Sequence, residues 1–367
     1  MQHKSFRDKM RFMQKSSLPL IIMLLLGIIL VIFWLPTSRA MVAKGEVRAA
    51  IDIGSGATNL KVAKVDTKTN KITAGLFEQS IPVPYQKHLE QSGNKTFDRE
   101  VMEQGIKAIQ LLKEKANEYQ VKKVIAVATA AFREASNAPQ FAREIEERTG
   151  VQVRIINQDE EGILAFRGAL ATTSILPENA LTWDIGGGSM QLTTLSNQGT
   201  YLVEKGKTAS IPFKIAVIEN IEQRDPQRVQ SPNPMTPEEM QAAVSFAAYL
   251  AGQVDPFIKE KIQNPQTQVI AVGSLFNYGI KPMIGKTEIP QDKLEKAVME
   301  RANKTDQELP GGALAEVAVT NPLLVLGYMK GLNIHKVEIA NVNNADGALT
   351  YPAYWVETDT SNPLSFN

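Results

Sequence analysis

Two segments of this 367-residue chain repeat one pattern, and this repetition constrains the fold more than any other feature. Each segment is an apolar strand that reaches an aspartate, a glycine-rich turn and a second apolar strand, first in Val47–Asp66 and again in Leu181–Leu195. The two aspartates, Asp52 and Asp184, lie 132 residues apart, which is about one domain length. We therefore predict an internal duplication of one unit, made of a β-hairpin and the crossover connection that follows it.

The segments around the two hairpins alternate between strand and helix patterns. The predicted fold class is α/β, with two similar domains on either side of a cleft and one glycine-rich loop from each. Residues 1–45 are predicted to comprise a basic leader, a membrane anchor or signal peptide, and a linker. The first domain is predicted over 46–170 and the second over 171–367. The other predicted elements are strands in Lys71–Ser80, Val121–Phe132, 151–157 and Gln266–Asn277, and helices in Asp98–Tyr119, in Ala138–Thr149, from Asp159 and from Thr236.

The aspartates at the two turns indicate chemistry with phosphate and metal. A carboxylate at the end of a buried strand is costly unless its charge is used, and Asp52 and Asp184 occupy such positions. Glycine lets backbone N–H groups approach a phosphate closely because no Cβ intervenes. Paired carboxylates can hold Mg²⁺, which prefers oxygen ligands. A third strand and glycine turn at Gly273 strengthens the prediction of a phosphate-binding cleft.

Composition excludes several other chemistries. The chain contains no cysteine, which excludes disulfides, cysteine-ligated zinc and thiol nucleophiles. Its three histidines, His3, His88 and His335, are far apart in sequence, which argues against a multi-histidine metal site or a Ser-His-Asp triad. The formal net charge is +1, so no nucleic-acid partner is predicted.

The N-terminal region predicts one membrane crossing. No charged residue occurs between Lys15 and Arg39, and Leu18–Leu35 is almost entirely apolar. Basic residues precede this run, so we expect the N-terminus in the cytoplasm and the body in the periplasm, anchored in the inner membrane. Two alternatives remain open: a signal peptide cleaved near Ala40, which would secrete the body to the periplasm, and a true start at Met41.

Four sequence blocks resemble one family of phosphohydrolases. Each follows a predicted strand or opens a predicted helix, and they occur in the family's order: Asp52-Ile53-Gly54-Ser55-Gly56, ATAAFREASN over Ala128–Asn137, Glu160-Glu161 with Leu164, and DIGGGSMQ over Asp184–Gln191. The fold pattern resembles the actin-like ATPase superfamily, whose two duplicated ribonuclease H-like domains flank a cleft. Within it, the blocks are similar to the exopolyphosphatase / guanosine pentaphosphate phosphohydrolase family.

The resemblance implies a metal-dependent hydrolase that releases terminal phosphate from inorganic polyphosphate or a substrate like guanosine pentaphosphate. It implies that Glu161 is the catalytic base and that Arg133 clamps phosphate. Asp52 and Asp184, with Gln191, would hold Mg²⁺ or Mn²⁺, directly or through water. The phosphate-binding loops would comprise Gly54, Ser55, Gly56, Gly186, Gly187, Gly188, Ser189, Gly273 and Ser274.

Some positions depart from the family pattern. Gln191 occupies the position of a family glutamate, so we expect weaker metal binding or water orientation. Gly56 and Ala57 lack the side-chain donors of the usual first loop, and the segment from Asp346 to Thr350 lacks the family's arginine. The alternative function is therefore a catalytically degenerate, membrane-anchored protein that binds polyphosphate or phosphate. A homodimer is an open alternative for the oligomeric state.

Overall fold

The computed structural model describes residues 45–206 and 208–356, excluding the side chain of Ala313. Eleven strands within these ranges form two sheets. The first has the order β3-β2-β1-β4-β5, and its strands are β1 (Gly45–Ile53), β2 (Ala57–Asp66), β3 (Lys71–Pro82), β4 (Val124–Ala128) and β5 (Val153–Ile155). The second has the order β10-β11-β9-β6-β7-β8, and its strands are β6 (Ala180–Ile185), β7 (Met190–Leu195), β8 (Tyr201–Gly206), β9 (Gln268–Val272), β10 (Glu288–Pro290) and β11 (Lys336–Ile339).

The two sheets share one connectivity. In the first, β1 and β2 are antiparallel, β2 pairs with β3, and β4 joins the other side of β1 in parallel. In the second, β6 and β7 are antiparallel, β7 pairs with β8, and β9 joins the other side of β6 in parallel. This repeated arrangement agrees with the duplication expected from the two hairpins and confirms an α/β fold built on two sheets.

Helices connect and cover these sheets. Their bounds are α1 (Tyr85–Gln91), α2 (Arg99–Asn117), α3 (Ala130–Glu134), α4 (Ala138–Thr149), α5 (Gln158–Thr172), α6 (Ser210–Ala216), α7 (Pro237–Ala251), α8 (Pro256–Gln263), α9 (Lys281–Ile284), α10 (Gln291–Met299), α11 (Thr320–Gly331) and α12 (Asn344–Thr350). Asp98 caps α2, accepting a hydrogen bond from Val101 N at 2.8 Å, and Thr236 forms a capping box with Glu239 at the start of α7. Both starts were expected from the sequence.

Side chains on β1 alternate between two different cores. Ala49, Ile51 and Ile53 pack with α2 and α4 on one face of the first sheet. Ala50, on the opposite face, packs instead with residues of α5 and α12. Because successive strand residues point to opposite faces, Asp52 is on the same face as Ala50. The strand thus directs Asp52 toward α5 and α12, away from the large apolar core.

The C-terminal helix α12 packs on the first sheet and against α5, although the chain reaches it directly from β11 of the second sheet. A Cβ on Gly347 would overlap the backbone of Leu164, so only glycine permits this helix contact. Arg48 of β1 donates to Leu349 O at 2.9 Å. The predicted domain division at residues 170 and 171 stays a prediction. Helix α12, which falls in the second predicted domain, packs on β1, β2 and β4 of the first.

Two local predictions are wrong. Helix α5 begins at Gln158 and not at Asp159, because Asn157 is its N-cap and accepts a hydrogen bond from Glu160 N at 2.8 Å. The predicted strand Val121–Phe132 is shorter, since β4 ends at Ala128 and α3 begins at Ala130. The chain turns at Thr129, whose N–H still donates to Ile53 O of the neighbouring strand at 3.2 Å.

The predicted membrane segment lies outside the described residues. Within 45–206 and 208–356, no helix combines the length and apolar character that a membrane crossing requires.

Candidate active site

The carboxylates of Asp52 and Asp184 are both buried, near the ends of the equivalent strands β1 and β6. Burial raises the pKa of Asp52 to about 7, and the negative charge of Glu161 adds to this rise. Burial also raises the pKa of Asp184 well above its ordinary value, with further contributions from Glu161 and Asp52. The structure therefore brings together three carboxylates that disfavour one another's charge.

The turns that follow the two aspartates have the same hydrogen bond. Gly54 N donates to Ala57 O at 2.9 Å, and Gly186 N donates to Ser189 O at 2.9 Å. The turns also face each other, since a Cβ on Gly187 would lie 2.7 Å from Ser55 Cβ. Both predicted phosphate loops therefore contribute to one site.

The third predicted turn is built around Asp184. Gly273 follows β9, which pairs in parallel with β6, so that Val272 lies opposite Asp184. Its backbone has a φ of +93°, which favours glycine, and a Cβ there would overlap Asp184 Oδ1. Gly273 thus makes room for the Asp184 carboxylate. Ser274, the next residue, is exposed at the rim, as is Gly56 in the first loop.

Glu161 lies in the first turn of α5 with its side chain buried. Arg133 Nη2 lies 2.7 Å from Glu161 Oε2. Ser189 Oγ and Gln191 Nε2 donate to the same carboxylate oxygen at 3.3 Å and 3.2 Å. Burial raises the pKa of Glu161, and Arg133 opposes that rise. The predicted base is therefore a desolvated carboxylate surrounded by donors.

The neighbouring Glu160 is directed elsewhere. It accepts a hydrogen bond from Tyr354 Oη at 2.5 Å and lies 3.6 Å from Arg154. Consecutive helix residues differ by about 100° in direction, which separates the two glutamates. Glu161 alone of this pair faces the aspartates.

Arg133 is positioned by α3 and is partly buried. Besides contacting Glu161, it donates from Nη1 to Ile156 O at 3.0 Å and from Nη2 to Ser189 Oγ at 3.1 Å. The guanidinium therefore bridges α3, the end of β5 and the second glycine-rich loop. A planar cation at this position suits phosphate recognition.

Gln191 is almost completely buried and stands opposite Asp184 in the β6–β7 ladder. Its Nε2 donates to Glu161, and its Oε1 has no hydrogen-bond partner among the described residues. The amide therefore links the second strand hairpin to α5. Because it is neutral, it adds no fourth negative charge to a site that already contains three carboxylates.

The chemistry of the site fits a hard divalent cation. Asp52 Oδ1 is buried and has no hydrogen-bond partner in the described part of the chain. Across the same residues, no three histidine, cysteine, aspartate or glutamate side chains are grouped closely enough to form a complete metal site. Mg²⁺ commonly uses one or two carboxylates and completes its shell with water and substrate phosphate. Asp52 and Asp184 match that requirement.

Two buried residues near these loops were missed by sequence reasoning. Gln86 donates from its backbone to Ser55 O at 2.9 Å, and its Oε1 lies beside Gly188. Asn344, at the start of α12, interacts with the Asp52 carboxylate. No motif marks Gln86, whereas the paired asparagines before Asp346 were a helix-start signal that could have indicated Asn344.

Comparison with known sequences connects part of the chain to a phosphatase family. Residues 65–212 match the Ppx/GppA phosphatase family. A bifunctional 3-dehydroquinate synthase/phosphatase of Fusobacterium nucleatum is 29% identical over 162 residues, which cover 41% of this chain. The matched region spans only 23% of that relative's length.

Solved structures share the fold over most of the chain. A Ppx/GppA family member from Aquifex aeolicus is similar with a TM-score of 0.64 and 17% identity, covering 83% of this chain and 96% of that one. An exopolyphosphatase from Cytophaga hutchinsonii is similar with a TM-score of 0.64 and 18% identity, again covering 83% and 96%. The resemblance expected from the four motif blocks is thus confirmed: residues 65–212 match the Ppx/GppA phosphatase family, and the chain shares the actin-like fold of the solved structures.

Proposed function

We propose that this protein is a divalent-metal-dependent hydrolase that releases the terminal phosphate of inorganic polyphosphate or a related phosphoanhydride, such as guanosine pentaphosphate. The observation that carries the proposal is the grouping of Asp52, Asp184 and Glu161 between two glycine-rich turns. Buried carboxylates repel an anionic substrate unless a cation neutralises them. Their presence beside phosphate-type loops therefore supports a metal-dependent reaction at phosphate.

The cation in this proposal is Mg²⁺ or Mn²⁺, held by Asp52 and Asp184 with water. When bound, such an ion neutralises charge on the phosphate oxygens and makes the phosphorus more accessible to attack. Gln191 contributes an amide where the family has a carboxylate, so we expect weaker binding of the ion.

Arg133 would bind the terminal phosphate of the substrate. Its guanidinium pairs with Glu161 at 2.7 Å, so an incoming phosphate competes with Glu161 for this guanidinium. As Arg133 turns toward phosphate, the carboxylate loses the charge that stabilises its ionised form. Its affinity for a proton then rises, which makes Glu161 a stronger base once substrate is present.

Glu161 would activate water for attack. The water oxygen forms a bond to the terminal phosphorus while its proton passes to a carboxylate oxygen of Glu161. The bond from phosphorus to the bridging oxygen breaks, and that oxygen keeps the electron pair and the negative charge. The products are orthophosphate and a chain shorter by one phosphate, and Glu161 returns its proton to solvent.

Phosphate release from long-chain polyphosphate tests this function. We expect purified full-length protein to release orthophosphate with Mg²⁺ or Mn²⁺ and to lose this activity with a chelator. A parallel assay with guanosine pentaphosphate separates the two substrate classes. Absence of phosphate release from both substrates, in folded protein with saturating metal, would exclude the hydrolase.

The alternative function is a polyphosphate- or phosphate-binding protein that has lost catalysis. It is favoured by one observation, the Gln191 amide that donates to Glu161 where the family has a second glutamate. Tight polyphosphate binding without phosphate release would support this alternative. Binding and release are therefore measured on the same preparation.

We also propose that the body lies in the periplasm, anchored by the apolar segment Leu18–Leu35. The basic leader and the uncharged run support this proposal. A C-terminal alkaline phosphatase fusion should then be active, because that enzyme requires an oxidising compartment. A C-terminal fusion to a fluorescent protein that folds only in the cytoplasm should be dark. An inactive alkaline phosphatase fusion together with a bright fluorescent fusion would contradict this topology and favour cytoplasmic substrates.

A further inference from the structure

The first turn of α12 is held rigidly on the first sheet. Asn343 Oδ1 accepts from Ala345 N at 2.9 Å, and Asp346 Oδ2 accepts from Asn343 N at 2.9 Å, which forms a capping box. Lys61 of β2 lies 3.0 Å from the same Asp346 oxygen and donates to Asn341 O at 3.2 Å. Both flanks of Asn344 are thus fixed.

The strand register places this turn beside Asp52. Lys61 pairs with Ala50 across the β1–β2 ladder, and Asp52 is two residues further along β1 on the same face. This face is covered by α12, whose Ala345 and Ala348 pack in the same core as Ala50. The helix start is therefore directed at the end of β1, where the candidate site lies.

Asn344 is the residue that meets Asp52. It is buried, and hydrogen bonding from its side chain and its backbone amide lowers the pKa of Asp52 against the larger effect of burial. Its own Oδ1 has no hydrogen-bond partner among the described residues, nor has Asp52 Oδ1. An asparagine donor therefore supports the carboxylate while Asp52 Oδ1 remains available to a cation.

We propose that Asn344 is a positioning residue that orients Asp52 for the divalent cation, so that the C-terminal helix completes a site otherwise built from the two strand hairpins. This inference rests on the metal assignment in the proposed function. A carboxylate ligand binds an ion most tightly when hydrogen bonds fix its orientation, and loss of such a partner commonly weakens metal binding about 10- to 100-fold.

Calorimetric titration of the full-length chain with Mg²⁺ and Mn²⁺ tests the inference without requiring turnover. We expect Asn344→Ala to weaken binding by about tenfold or more. Thr350→Val is the matched control. Thr350 is buried on the same helix, and within the described part of the chain its hydroxyl donates only to backbone oxygens of that helix. Thr350→Val should retain the wild-type metal affinity.

A second variant separates orientation of Asp52 from direct ligation. Asn344→Asp keeps the size of the side chain but replaces its N–H donors with a carboxylate. The new carboxylate and that of Asp52 would share a proton, because their charges repel each other. This proton competes with the cation, so we expect weaker metal binding at neutral pH. This variant also decides the question if Asn344→Ala does not fold.

Wild-type affinity in folded Asn344→Ala, tighter binding in Asn344→Asp, or absence of metal binding by the wild type would each overturn the proposal. The first two outcomes leave the proposed function intact, whereas absence of metal binding by the wild type would contradict both proposals. A protein that binds metal in an Asn344-dependent manner but releases no phosphate would support this inference and exclude the hydrolase.

Discussion

The Gln191 amide donates a hydrogen bond to Glu161 Oε2 over 3.2 Å, which joins strand β7 to the first turn of α5 at the centre of the candidate site. Because Gln191 also stands opposite Asp184, it neighbours both the predicted base and a predicted metal ligand. One neutral side chain thus adjoins two buried carboxylates. Its replacement tests the electrostatics of the whole group.

Gln191→Glu should increase affinity for Mg²⁺ and Mn²⁺ and decrease stability without metal. A carboxylate here adds a full charge beside Glu161, which repels it unless a cation is bound. Calorimetric titration and thermal unfolding with and without metal measure both effects. Unchanged metal affinity would show that Gln191 is not close to the bound ion.

Glu161→Gln should reduce phosphate release by about 10²- to 10⁴-fold while polyphosphate binding remains near the wild-type level. Glutamine keeps the size of the side chain but cannot accept the proton from water. Glu160→Gln is the control, since Glu160 is directed at Tyr354 and Arg154. Wild-type turnover in folded Glu161→Gln would remove Glu161 as the base.

Arg133→Ala should weaken polyphosphate binding, because the clamp acts before and during the reaction. It also leaves the buried Glu161 without its cation, so the free energy of unfolding should fall by about 3–5 kcal/mol if Glu161 stays ionised. Arg133→Lys retains charge without the planar fork and should be intermediate in binding. Polyphosphate affinity and chemical denaturation are the measurements, and unchanged affinity in Arg133→Ala would contradict the clamp.

Gly273→Ala should destabilise the protein more than Gly285→Ala. Both glycines have positive φ, at +93° and +75°, so the backbone strain is similar. A Cβ at 273 also overlaps the Asp184 carboxylate, whereas no atom of the described residues lies within 4 Å of a Cβ at 285. The 273 variant alone should lose metal affinity, as measured by titration. Equal effects on stability and metal binding would mean that the Asp184 contact is unimportant.

The stability of the metal-free protein should fall as the pH rises from about 4 to about 7. The pKa of Asp52 is raised from 3.8 to about 7 in the folded protein, so the unfolded chain releases this proton first. This shift corresponds to about 4 kcal/mol at most. Asp52→Asn should reduce the slope of the unfolding free energy against pH, and an unchanged slope would contradict the raised pKa.

Much of the fold followed from local sequence patterns. The two hairpins were predicted because alternating apolar residues and glycine turns act within a few residues of one another. The helix starts at Asp98 and Thr236 were predicted for the same reason, since the hydrogen bonds of these two residues reach only three residues along the chain. The family blocks also singled out Asp52, Asp184, Glu161 and Arg133 as candidate site residues before any contact between them was known.

Tertiary structure decided which groups meet. Nothing local indicates that Arg133 pairs with Glu161, or that Gln191 donates to Glu161, because these contacts join separate elements of the fold. Helix α12 returns to the first sheet, where Arg48 reaches Leu349 across 301 residues of sequence. The sequence determined the strands, turns and charged groups through short-range hydrogen bonding and apolar periodicity. Their combination in one buried site, with Asn344 beside Asp52, depended on packing between distant segments, which no local pattern encodes.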